Sequence, residues 1–168
     1  IFTGPDNKLY IADSGNNRIV IINENWGLEK IIDGFDKNGV RDTFKNPQGL
    51  FVTPEGEIYI ADTENSRIVH LDPDGEFIRE IGPPVSDIIP ADFKYYPTAL
   101  AVDKANRIYI VAQGVNQGLI ELDSKGEFVG YMGATKVKFN MVDYIWKLIA
   151  TDEQREKMVQ FVPTEYSN

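Results

Sequence analysis

An all-β fold built from a repeated four-stranded sheet, a partial β-propeller, is predicted by three observations. Gly56 to Asp72 reads as strand, polar turn, strand: Ile58 and Ile60 alternate with Tyr59 and Ala61, Asp62 to Ser66 interrupts, and Ile68, Val69 and Leu71 resume. The chain then says this again, since Leu9 to Val20 match the stretch 49 residues earlier and Ile108 to Ala112 match its first half 50 residues later. Finally, four apolar runs recur in each period, and a period of about 40–50 residues with four strands describes a propeller blade.

The second repeat defines the elements. Strand a is Gly49 to Thr53, strand b Glu57 to Ala61, strand c Arg67 to Asp72 and strand d Glu76 to Ile81. Asp72-Pro73-Asp74-Gly75 between c and d places proline and glycine where a turn wants them. Asp123-Ser124-Lys125-Gly126 repeats that turn in the third repeat, and Asn23-Glu24-Asn25-Trp26-Gly27 is its looser form in the first. Blade one therefore spans residues 1–33, blade two 47–82 and blade three 97–133. The third copy lacks counterparts of Asp62 and Arg67.

Longer inserts join strand d of each blade to strand a of the next, over residues 34–46 and 82–96. The period changes after Gly133: Met141, Ile145, Leu148 and Ile149 share one helical face, and Thr151 with Gln154 forms a capping box for a second helix. A helical insert is expected over 134–160, and Phe161-Val162-Pro163-Thr164 echoes Tyr95-Tyr96-Pro97-Thr98, so 161–168 reads as the start of the next blade. The chain opens on Ile1, inside a strand, and stops at a blade entry; half of a propeller is the expectation, with any signal or anchor lying outside these residues.

Pro47-Gln48-Gly49-Leu50, Ile58 to Asp62, Asn65, Arg67-Ile68 and the Asp72 to Gly75 turn together resemble the NHL repeat. The resemblance covers nearly the whole chain and is weakest in the third repeat. It implies a propeller, usually six-bladed, and the style of the repeat points to a bacterial protein. It does not fix an activity, because a widely used scaffold hosts many.

Composition narrows the function classes. The formal net charge is −9 with no cluster of Lys and Arg, which speaks against a nucleic-acid partner. Cysteine is absent, so disulfides and thiolate metal sites are excluded. No apolar run approaches the roughly 18 residues of a membrane span. No cofactor is called for.

Candidate residues fall in two groups. The Asp-x-x-Asn-x-Arg turn occurs as Asp13, Asn16, Arg18 and as Asp62, Asn65, Arg67. These are read as structural staples, with Asp and Asn closing the b–c turn onto the backbone and Arg bonding a carboxylate of its own or a neighbouring blade. The inserts carry Phe93, Tyr95, Tyr96, Tyr144 and Trp146, and large aromatic loops on a rigid scaffold are where binding normally lives, so these five form a candidate binding face. Insert acids such as Asp33, Asp36, Asp42, Asp87 and Asp92 are expected to be solvated loop residues. His70, the chain's single histidine, is expected on the sheet surface; a catalytic zinc normally takes about three such ligands.

The reading is a non-catalytic module binding a protein or small ligand on its loop face, within a larger surface or membrane-anchored and extracytoplasmic protein. Alternatives are a metal-dependent propeller enzyme resembling gluconolactonases or lyases, for which Gln48, Thr53, Thr98 and Asp103 offer the channel-facing groups, and a structural spacer. Unpartnered end blades predict self-association or pairing with the rest of the propeller.

Overall fold

A computed structural model of the chain describes residues 1–89, 93–115 and 118–133. The chain divides into two compact units, Ile1–Ala134 and Thr135–Asn168, and the described residues all belong to the first. The expected helical insert at 134–160, the blade start at 161–168, Tyr144, Trp146 and Asp92 lie outside the described residues.

Three antiparallel four-stranded sheets follow one another along the chain. Blade one contains β1 (Phe2–Thr3), β2 (Leu9–Asp13), β3 (Arg18–Ile22) and β4 (Leu28–Ile32). Blade two contains β7 (Pro47–Val52), β8 (Ile58–Asp62), β9 (Arg67–Leu71) and β10 (Phe77–Ile81). Blade three contains β11 (Tyr96–Val102), β12 (Ile108–Gln113), β13 (Leu119–Leu122) and β14 (Phe128–Met132). The first insert, read from sequence as plain connection, is itself a hairpin of β5 (Phe35–Lys37) and β6 (Val40–Asp42), turned by Asn38 and Gly39 at positive φ. Its strands of three residues are too short for a period-2 pattern to stand out.

The c–d turn shows why these sheets form where they do. Asn23, Asp72 and Asp123 each accept at Oδ1 from the backbone N–H four residues on, at 2.9 Å, which closes an Asx turn. The residues at its left-handed position are Trp26, Gly75 and Gly126, with φ of 63°, 79° and 92°. Glycine adopts such angles without steric cost and tryptophan does not.

Strand alternation gives each sheet two apolar faces, and the blades pack face to face. Tyr10, Ile19, Ile21 and Ile32 of blade one meet Leu50, Val52, Ile58, Ile60, Val69 and Leu71 of blade two, with Phe35 and Phe44 of the first insert closing the same core. The opposite face of blade two, Tyr59, Ala61, Ile68 and Ile81, packs on Val102, Ile108, Ile110, Ala112, Ile120 and Leu122 of blade three. Where strands a of blades two and three approach, Gly49 is obligatory, since a Cβ there would lie 2.6 Å from the Thr98 carbonyl oxygen and 2.8 Å from the Ala99 Cα.

A repeated polar bond ties neighbouring blades together. Ser14 Oγ donates to the Pro47 carbonyl at 2.5 Å, and Thr63 Oγ1, one turn of the repeat later, donates to the Pro97 carbonyl at 2.6 Å. The acceptor is in each case a proline at the start of strand a of the next blade.

His70 is not on the sheet surface. Its side chain points into the blade two–blade three interface, 5% exposed, and its ring stacks on Tyr59 with centroids 3.9 Å apart. Tyr59 is its direct cross-strand partner, and the pairing draws the imidazole inward. Nε2 lies 3.0 Å from Glu57 Oε2, and Arg79 Nε donates to Nδ1 at 3.4 Å, a pattern that fits a neutral ring protonated on Nε2. Burial pushes its pKa down, against the attraction of Glu57 and with the help of Arg79.

The consequence for stability has a definite sign. A depressed histidine pKa means that the unfolded chain takes up a proton which the native state resists, so stability falls as pH drops below about 6.5. His70 is the only histidine, and the carboxylates whose pKa values are lowered titrate at more acid pH, so the decline beginning near pH 6.5 belongs to it. Urea unfolding at pH 7.5, 6.5 and 5.5 should show this loss in the parent and a flatter profile in His70→Gln; equal slopes would contradict the assignment.

Candidate functional site

The b–c turns and the first insert lie together on one side of the sheets. After Asp62 the chain makes a short 3-10 turn, Thr63–Asn65, and Ser66 reverses it in the left-handed conformation with φ 54°. Ser14–Asn16 and Asn17, φ 53°, repeat this in blade one. Neither aspartate caps its turn through the backbone, contrary to the expectation from sequence. Each instead gathers side chains. Asp13 accepts from Asn16 Nδ2 at 3.0 Å and from Arg18 Nε at 2.7 Å, and Asp62 accepts from Asn65 Nδ2 and Arg67 Nε, both at 2.9 Å.

The two copies differ in burial and reach. Asp62 is fully buried and its second oxygen accepts from the Lys45 amide at 2.7 Å. Arg67 extends further, to Asp42 Oδ2 at 2.6 Å and Oδ1 at 3.1 Å, to Glu80 at 3.0 Å and to the Thr43 carbonyl at 3.1 Å. Its guanidinium also lies 5.4 Å from the centre of the Phe35 ring. Asp42 is therefore a structural ligand of Arg67 and not a solvated loop acid. Its carboxyl is held below the usual range by that guanidinium, while burial of Arg67 is outweighed by its bonds to Asp42 and Asp62, which move its pKa up. Glu80 is lowered by Lys37 first and Arg67 second. One cation thus fastens the b–c turn, strand d and the first insert.

Beside this hub lies an open concavity of about 400 Å³ between blades two and three. Lys45, Asn46 and Glu64 form one wall, joined by a Lys45–Glu64 ion pair of 3.4 Å and an Asn46–Glu64 bond of 3.2 Å. Gln48, Tyr96 and Gln113 form the rest, with Thr63 at the base held by its bond to Pro97. Among the described residues the side chains of Gln48, Gln113 and Tyr96 make no hydrogen bond, and the Tyr96 side chain is partly exposed. Two amides and a phenol are thus available on a framework whose charged groups are already paired.

The aromatics expected on this face separate. Tyr96 lines the concavity. Tyr95 is buried, 2% exposed, and belongs to the core of blades two and three; its hydroxyl has no partner among the described residues, and burial raises its pKa. Phe93 is half-buried against the same core, with its ring 6.2 Å from Tyr95. Of the groups considered for a channel, Thr53 and Asp103 accept from the backbone of their own a–b turns, and Thr98 donates to the Val111 carbonyl at 3.3 Å. Of the four, Gln48 faces the concavity with no bond among the described residues. Among the described residues no three His, Cys, Asp or Glu side chains gather as metal ligands, and no helix is long and apolar enough to cross a membrane.

Removing the Arg67 side chain would leave Asp62 buried with one charged partner fewer, at a cost of about 3 kcal/mol. Arg67→Ala should therefore lower the unfolding midpoint clearly, and Arg18→Ala, whose partners are more exposed, much less. Equal effects of the two substitutions would show that burial of Asp62 is not what makes the blade-two turn matter.

The comparisons with known proteins agree with this architecture. The NHL repeat model matches residues 44–71, from the end of the first insert through β9. No curated protein sequence matches the chain. Among solved structures, a protein of unknown function from Bacteroides caccae aligns with a TM-score of 0.58 at 18% identity, covering 84% of this chain and 50% of that one. Hydrazine synthase of Kuenenia stuttgartiensis aligns with a TM-score of 0.56 at 18% identity, over 79% of this chain and 35% of its own. A catalytically inactive virginiamycin B lyase from Staphylococcus aureus, solved with quinupristin, aligns with a TM-score of 0.56 at 17% identity, over 79% of this chain and 40% of its own. The chain thus spans half or less of the length of these structures, and at such identity they share its fold alone. The chain carries an NHL repeat in its second blade, with four-stranded sheets of the same kind on either side, and its described blades form a partial β-propeller.

Proposed function

We propose that the chain is a non-catalytic binding module that takes a protein or small ligand on its insert face, within a larger extracytoplasmic protein. The observation that carries the reading is the concavity between blades two and three. Gln48, Gln113 and Tyr96 present there polar groups unbonded among the described residues, and an aromatic ring, beside turns locked by Asp62, Thr63 and Arg67. A site whose own polar groups are pre-positioned loses little conformational freedom when a ligand arrives.

The second reading is a metal-dependent lactonase-like or lyase-like enzyme, favoured by the fold shared with a lyase. It requires inward donors converging on one point, whereas Thr53, Thr98 and Asp103 are engaged in local bonds. We further propose that the chain associates through its end blades, because blade one turns an apolar sheet face outward with Leu28 and Ile31 exposed.

Two measurements together test the binding reading. A panel of lactones incubated with the chain and Ca²⁺ or Zn²⁺ should show no turnover; turnover abolished by EDTA would overturn it. A small-molecule fragment library screened by amide NMR should perturb Gln48, Tyr96 and Gln113 together, and Tyr96→Ala should remove those responses without lowering the melting temperature. Perturbations scattered away from these three would also contradict the reading.

A further inference from the structure

Blade two has a neighbour on each side and so shows what each face of a blade normally meets. Its front, Ile58, Ile60, Val69 and Leu71, is buried to 1% exposure or less against blade one. The same register positions in blade one are Leu9, Ile11, Val20 and Ile22, extended across β4 by Leu28 and Ile31. Among the described residues no sheet covers this front, and Leu28 is 60% and Ile31 42% exposed.

At the two interior interfaces one contact repeats. The left-handed glycine of the c–d turn, Gly75 or Gly126, lies against an isoleucine of strand d in the preceding blade, Ile32 or Ile81. A Cβ on Gly75 would sit 3.1 Å from Ile32 Cδ1, and one on Gly126 would sit 3.0 Å from Ile81 Cγ2. Glycine and isoleucine are thus matched in size at both interfaces.

Both halves of this contact change in the two outer blades described. Blade one has Trp26 where the others have glycine, held at φ 63° and 80% exposed. That backbone conformation is unfavourable for a bulky side chain, so the residue is not there for the turn. Blade three has Met132 where the others have Ile32 and Ile81: it pairs with Leu119 as they pair with Ile19 and Ile68, and it is 43% exposed. A large ring replaces glycine, and an unbranched, deformable thioether replaces a β-branched side chain.

We propose that the front of blade one is an interaction surface for a second copy of this chain, whose blade three seats on it with Met132 against Trp26. This develops the association reading above and is independent of the insert-face ligand. The occupant follows from continuity with the interior interfaces. Tyr109, Val111 and Leu119 stand on the back of blade three where Tyr59, Ala61 and Ile68 stand on the back of blade two. Glu121 occupies the register of His70 and is already paired with Arg107 at 3.3 Å, so the contact introduces no unpaired charge. A second blade in the interior arrangement with isoleucine opposite would collide with the indole; methionine yields.

The test is compensatory. Sedimentation equilibrium of the 168-residue chain over the micromolar range should show reversible association. Trp26→Gly and Met132→Ile should each weaken it, about tenfold for loss of an aromatic hot spot. The double variant recreates the interior glycine–isoleucine pair and should recover much of the loss. Trp26→Gly should melt no lower than the parent, because glycine suits that φ, which separates a lost contact from a lost fold. A chain that stays monomeric, or single variants that associate as the parent does, would overturn the proposal. So would a weakening by Trp26→Gly that Met132→Ile neither shares nor rescues, the signature of blade one pairing with itself. Retained fragment binding in the variants keeps this outcome separate from the insert-face reading.

Discussion

The structure depends on one constraint: each sheet is apolar on both faces. A sheet of this kind has no solvent side, unlike an amphipathic antiparallel sheet whose strands alternate apolar and polar. It buries both faces only between two others. Blade two satisfies the condition, with Ile58, Ile60, Val69 and Leu71 buried on one face and Tyr59, Ala61 and Ile68 on the other. The chain repeats the sheet because a single copy could not bury what its sequence makes apolar.

Polar chemistry is then pushed to the ends of the strands, and the two ends use it differently. The c–d turns are closed locally by Asn23, Asp72 and Asp123, whose carboxylate or amide oxygens hold backbone N–H groups within the turn. The b–c turns reach outward. Ser14 and Thr63 bond the next blade, and Arg67 bonds the insert through Asp42 and Thr43. The side with the outward-reaching turns is the side that carries the concavity, so the bonds that align the blades also fix the walls of the candidate site.

Much of this was legible in the residues. The repeat of Leu9–Val20 in Ile58–Val69 identifies the hairpins, and the Asp72 to Gly75 turn marks the c–d corner, because both signals are local and recur. What was not legible depends on distant partners. His70 reads as a polar residue on a strand, and only the stacked Tyr59 ring with Glu57 and Arg79 explains its burial. Asp42 reads as a loop acid until Arg67, 25 residues away, claims it. Tyr95 and Tyr96 are adjacent and alike in sequence, yet one is core and one lines the concavity, since neighbouring strand-entry residues face opposite ways. The hydroxyl bonds of Ser14 and Thr63 carried a signal that was available, a small hydroxyl residue directly after each Asp of the turn, but its acceptor lies in the next repeat. In the third blade Gln113 takes that place, which matches the loss of the Asp and Arg there.

Native-state amide hydrogen exchange, resolved strand by strand, tests the sandwich requirement most directly. If burial between two neighbours is what stabilises a blade, the amides of β8 and β9 exchange only through global unfolding and are the slowest in the chain, while inner-strand amides of blade one open at lower free energy. Protection in β2 and β3 equal to that in β8 and β9, in the monomer under dilute conditions, would show that a blade of this sequence is stable with one neighbour and would contradict the account.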